Sequence, residues 1–185
     1  MDEGAPQRED PTLGGEETHR LADALVTLGE GTAAVDLIRR EVNVARATLP
    51  ATSPRLLRQL SEYAAILEST DALAEADFIR AEALEIVASS GLTTEDAVDA
   101  FLGYGLLLNK MHNYDGAVAR LREAVRRAEE LDDIGSLHRQ IIIAQAWRGQ
   151  AQAFEALGEF SQASHALDVL MNVKRHIRFL VFSPS

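Results

Sequence analysis

The sequence contains no cysteine, which removes disulfides, thiolate zinc sites and cysteine nucleophiles from consideration. It is also poor in turn formers, with 12 glycines and 5 prolines in 185 residues, too few for an all-β sandwich of many short strands. Basic charge is scarce: 18 Lys and Arg stand against 29 Asp and Glu, a net charge of −11. Duplex binding depends on basic side chains that displace counterions, so no nucleic-acid partner is expected. No apolar run approaches the roughly 18 residues that a membrane span needs. The leading segment MDEGAPQRED is acidic where a secretory signal is basic. No membrane partner is therefore expected, and the reading is a soluble, cytoplasmic protein. The only lysines are Lys110 and Lys174; arginine in their place suggests a GC-rich coding genome, and a bacterial source is expected.

Signatures of catalysis are missing as well. His19, His112, His138, His165 and His176 are scattered, with no HExxH and no pair at i, i+4 to hold a metal. His112 reads as a surface turn residue and His165 as a half-buried packing histidine. No GxGxxG, GxxxxGK[ST] or GxSxG occurs. The acidic pairs Glu129-Glu130 and Asp132-Asp133 read as a solvated helix end and turn, since acids at a helix C-terminus oppose the macrodipole. No catalytic residue, no metal and no cofactor is expected, and the chain is not read as an enzyme.

What is present is 46% apolar and 25% charged residues, a globular composition. Residues 1–15 combine Gly4, Pro6, Pro11, Gly14 and Gly15 with acids, and are expected to be a disordered acidic tail. From residue 16 the apolar positions recur at three and four, as in Leu56, Leu57, Leu60, Tyr63, Ala64 and Leu67. Breaks at Gly29-Glu30-Gly31, Pro50 to Pro54, Ser89-Ser90-Gly91, Asn113, Asp132 to Gly135 and Gly158 divide the chain into eight helices. Their expected ranges are 16–29, 32–48, 54–69, 72–88, 94–111, 114–131, 136–157 and 160–177. Ser53, Thr93 and Asn113 are the expected N-caps. The fold class is all-α.

Helices in pairs call for a search for a fixed period. An offset of 41 sets Asp77 on Asp36, Ile79 on Ile38, Arg80 on Arg39 and Glu82 on Glu41. The same step carries Ala76 onto Ala117, and a step of 46 carries Ala117 onto Ala163. The second unit reads Leu60, Tyr63-Ala64, Leu67, then Leu73, Ala76, Arg80 and Ala83. The third reads Phe101, Tyr104-Gly105, Leu108, then Tyr114, Ala117, Leu121 and Ala124. The fourth reads Trp147, Gln150-Ala151, Phe154, then Phe160, Ala163, Leu167 and Leu170. Only Ala22, Val26, Val35 and Val42 survive in the first, which makes it a degenerate unit or a cap. Gly105, Ala117, Ala151 and Ala163 are expected where helices approach closely, and a leucine there would overpack by roughly 1–3 kcal/mol.

This pattern resembles the tetratricopeptide repeat (TPR), in its long-repeat, kinesin-light-chain-like form, over residues 16–177. The resemblance implies a right-handed α-solenoid, a TPR-like superhelix of about four helical hairpins, with the first helix of each pair lining a concave groove. It further implies a non-catalytic adaptor or scaffold that binds a peptide or protein partner in that groove. The groove positions it assigns are Arg20, Arg58, Glu62, Asp99, Leu102, Leu106, Asn109, Lys110, Gln145, Arg148 and Gln152. The family's carboxylate clamp is absent, because its positions hold Arg20 with Ala24, or Ser61 with Ala65. Where the kinesin-light-chain branch places asparagines, this chain has Glu62, Gly103 and Gly149; glycines there would let a ligand backbone approach or leave room for a bulky side chain.

Residues 178–185 form an apolar C-terminal tail, where a repeat array normally ends in a polar cap. Ile177, Phe179, Leu180 and Phe182 either fold back as a lid over the last pair or meet a second chain as a homodimer interface. The alternatives to an adaptor are accordingly a self-assembling structural protein held by this tail, or an effector-sensing regulatory module.

Overall fold

The computed structural model describes residues 11–131 and 136–182. Most of the expected acidic tail, the Asp132-Asp133 turn and residues 183–185 lie outside them. Eight helices and no strand occur among the described residues: α1 Pro11–Thr27, α2 Gly31–Thr48, α3 Pro54–Ser69, α4 Leu73–Ser90, α5 Glu95–Lys110, α6 Tyr114–Glu130, α7 Ser136–Ala156 and α8 Phe160–Phe182. None is long and apolar enough to cross a membrane.

Local chemistry accounts for most of the boundaries. Pro54 occupies the first turn of α3 behind an extended Ser53, a position where its missing N–H costs nothing. Gly91 ends α4 in the left-handed conformation at φ 65°, which glycine adopts without a Cβ penalty. Asn113 caps α6, its side chain accepting from the Gly116 amide at 3.1 Å. In α5, Glu95 and Asp96 stand in the first turn and Lys110 in the last, each at the end whose partial charge it complements.

Three boundaries differ from expectation. The first helix already includes residues from Pro11, so it takes in the end of the segment expected to be tail. Thr94, not Thr93, precedes α5 with extended backbone, and it makes no side-chain cap bond. The last helix continues to Phe182, so residues 178–182 prolong α8 and do not turn back as a lid. Ile177 and Leu180 extend the spacing of Ala163, Ala166, Leu170 and Val173 along one side of that helix.

Each helix packs against the next in sequence, and the odd-numbered helices also pack in a row, α1 on α3, α3 on α5 and α5 on α7. The even-numbered helices make no comparable backbone approach to one another, and α1 does not reach α7. A stack whose one row touches while the other splays is an open, curved solenoid with the touching row inside. Small residues set the nesting. Ala76 and Ala117 are fully buried and Ala151 and Ala163 nearly so. A β-carbon on Gly105 would lie 2.6 Å from Leu121 Cγ and 3.2 Å from its backbone nitrogen. Leu57, Leu60, Leu67, Leu107 and Leu121 are completely enclosed, and each contributes about 1.5–3 kcal/mol of burial.

Long side chains span the splayed row. Arg46 pairs with Glu82 at 2.5 Å, and Arg39 with Glu75 at 3.1 Å. Both join α2 to α4. The Tyr63 hydroxyl of α3 donates to Glu75 and accepts from Arg39 Nε. Consecutive hairpins are thus joined by direct packing on the inner row and by polar reach on the outer one.

Candidate functional site

The inner row carries two chemically different ends. Toward the C-termini of α5 and α7, Leu106, Asn109 and Lys110 face Arg148, Gln152 and Glu155 across an open hollow of about 650 Å³ that Tyr114 also lines. Asn109 donates to the Gly149 carbonyl at 2.8 Å, while its own Oδ1 is buried without a partner. Lys110 leans back to Glu68 at 2.9 Å. Five of the expected groove residues, Leu106, Asn109, Lys110, Arg148 and Gln152, line this one hollow.

Toward the N-terminal ends of the same row the lining is acidic. Arg58 of α3 grips Asp96 of α5 with two contacts of 3.1 Å, so this cation is committed within the chain. His138 of α7 meets Glu95 of α5 at 2.7 Å. Glu62 and Asp99 lie within electrostatic reach of these pairs. Burial pushes the Glu62 carboxyl up, and Glu41 and Asp96 add to this against the pull of His19 and Arg58. Burial likewise raises Asp99, with Glu95 and Asp96 reinforcing it and His138 and Arg80 opposing. The cause in both cases is the cost of holding a charge in a partly desolvated, acid-rich place. Arg20 is exposed on α1, and Gln145 is half-buried on α7.

Several expectations need correction. Leu102 is buried in the main core and presents no groove surface. Neither Gly103 nor Gly149 leaves space for a ligand. A β-carbon on Gly103 would stand 2.4 Å from the Arg80 guanidinium, and one on Gly149 would meet Leu121, Leu106 and Asn109. Both absences of a side chain are used inside the stack. His165 is exposed, not half-buried, although its ring packs edge-on against Trp147 at 6.1 Å. Of the four tail residues, Ile177 and Leu180 are half-buried and Phe179 is exposed; the side chain of Phe182 lies outside the described part.

Sequence reading missed Arg80. It is buried on α4, crosses to the inner row and pairs with Glu68 of α3 at 2.8 Å, both side chains at most 10% exposed. Lys110 of α5 completes this triad. The available signal was an arginine at a repeat position that holds leucine in the next unit.

No protein-family model matches the sequence, and a search of curated proteins finds no match. Solved structures do match. A kinesin-light-chain-like protein of Podosopora anserina with nearly identical TPR-like repeats superposes at a TM-score of 0.70 and 20% identity, over 96% of this chain and 80% of that one. BtubC (BKLC) from P. vanneervenii superposes at 0.77 and 16% identity, over 97% and 69%. A further structure of the Podosopora protein gives 0.54 at 17% identity, over 91% and 97%. At these identities the likeness is one of fold, and the fold of this chain is a TPR-like all-α solenoid of the long-repeat, kinesin-light-chain-like type.

Proposed function

We propose that this protein is a non-catalytic scaffold, acting in the cytoplasm, whose inner row of helices holds an extended segment of a protein partner. The observation that carries this reading is the pair Glu62 and Asp99. Burial is the main cause that raises both carboxyls above their ordinary range, and further acids near each add to it. A lysine or arginine from a ligand would relieve that cost. Along the same row, Leu106 offers an apolar contact beside the polar ends of Arg148 and Gln152. The segment that fits carries a basic side chain toward α3 and an apolar one toward the ends of α5 and α7.

A displayed random-peptide library tests this. Bound peptides should be enriched in Lys and Arg, and Glu62→Lys with Asp99→Lys should abolish their capture while leaving helical content intact. Capture should also weaken as pH falls, and sooner than for ordinary carboxylates, because both groups take up protons early. Peptides with no basic bias, or capture indifferent to the double reversal, would reject the reading.

A further inference from the structure

On α6, the side that meets the following hairpin is built from Val118, Leu121 and Val125, all buried, with Tyr114 packed at its start. The 46-residue offset that places Ala163 on Ala117 also carries Tyr114, Leu121 and Val125 onto Phe160, Leu167 and Met171 of α8, while Val118 falls on Ser164. In α6 these positions lie under α7, so closely that a β-carbon on Gly149 would stand 2.8 Å from Leu121 Cδ1. In α8 they are 72%, 41% and 53% exposed, and no described helix follows. The adjoining side of α8 is satisfied: Ala163, Ala166 and Leu170 are buried, and Val173 packs against the main core. Helix α8 therefore presents a repeat-joining surface that no described helix covers.

We propose that a second copy of this chain covers that surface, α8 lying antiparallel on α8 about a two-fold axis near Met171. The charges on the helix select both the occupant and the direction. Asp168 stands three residues before Met171 and Arg175 four residues after it, on the same edge of the apolar stripe. Antiparallel pairing sets each of them against its opposite in the second copy, giving two reciprocal ion pairs. Asp168 forms no ion pair within its own chain among the described residues, and Arg175 reaches only Asn172, at 3.4 Å. Parallel pairing would instead align Lys174, Arg175 and Arg178 with themselves, since α8 has no acid beyond Asp168. The surface is self-complementary, as a closed two-fold interface must be. It is separate from the inner row and does not depend on the peptide reading.

The absence of cysteine makes single-cysteine variants clean reporters. Met171→Cys should form a disulfide-linked dimer on mild oxidation. Leu167→Cys should not, because antiparallel pairing holds the two positions about 12 Å apart. In sedimentation velocity the unmodified chain should be a dimer, and Met171→Asp a monomer with unchanged helical circular dichroism. Asp168→Arg and Arg175→Asp should each weaken the dimer about tenfold, and together restore it. The proposal is overturned by a monomer at every concentration, by growth beyond the dimer as in head-to-tail stacking, or by Leu167→Cys linking as readily as Met171→Cys. Charge reversals without effect would overturn it equally.

Discussion

One repeat position shows how the two halves of this solenoid are joined differently. Arg39, Arg80 and Leu121 follow one another at steps of 41. Leu121 lies fully buried between Gly105 and Gly149, so at this position the α5–α6–α7 joint closes through apolar contact. Arg80 fills the matching place at the α4–α5 joint, with its guanidinium over Gly103 and its charge matched by buried Glu68. Arg39 is more open and ties Tyr63 and Glu75 together. The leucine joint draws on burial, which salt and pH hardly touch. The arginine joints balance desolvation against pairing, so each depends on its partner remaining charged and in place. The same backbone geometry is therefore reached by two kinds of interaction with different sensitivities.

Exchanging the two chemistries gives the largest expected effect. Leu121→Arg would bury a guanidinium with no acid to meet it, and should cost about 3–5 kcal/mol in urea unfolding. Arg80→Leu should cost less, roughly 2–3 kcal/mol, because Glu68 keeps Lys110 as a partner. Adding Glu68→Leu to Arg80→Leu should bring stability back to within about 1 kcal/mol of the native chain, since a buried ion pair replaced by apolar groups is often neutral. A double variant no more stable than Arg80→Leu alone would show that the pair contributes more than packing can replace.

The smallest effect concerns pH. The Tyr63 hydroxyl, and after it Arg39, holds the Glu75 carboxyl below its ordinary value of 4.5. A depressed native value means that Glu75 adds stability above that pH and loses it as the pH falls through the native value. Glu75 is substantially exposed, so solvent screening keeps the contribution under about 1 kcal/mol. Glu75→Gln should lower stability slightly at neutral pH and flatten its decline in acid, as read from melting temperatures across pH. A decline of equal slope in both chains would remove Glu75 from the account.

The helices were legible because their signals are local. Pro54, Gly91, Asn113 and Gly158 act within a turn of themselves, and the repeat of Ala76, Ala117 and Ala163 marks the same close approach each time. Gly103 and Gly149 were misread for a reason of distance. A missing side chain leaves a space, and what enters it, Arg80 in one case and Leu121 in the other, comes from another helix. The resemblance puts Leu102 in the groove but the residue turns into the core, because alternate faces of a first helix differ by a rotation that spacing alone does not resolve. The apolar run Phe179 to Phe182 reads in sequence as a tail apart from the last helix, yet the helix runs on through it with Ile177 and Leu180 extending its packed side.

Periodicity, capping residues and small side chains by themselves determined that this chain forms paired helices in a stack, since each acts over a few residues or repeats at a fixed interval. Tertiary structure decided which spaces are filled from within, which carboxyls lose water on the inner row and which side of the last helix stays open. Those outcomes depend on groups about forty residues apart meeting across a joint, and burial and charge have values only once such neighbours are in place.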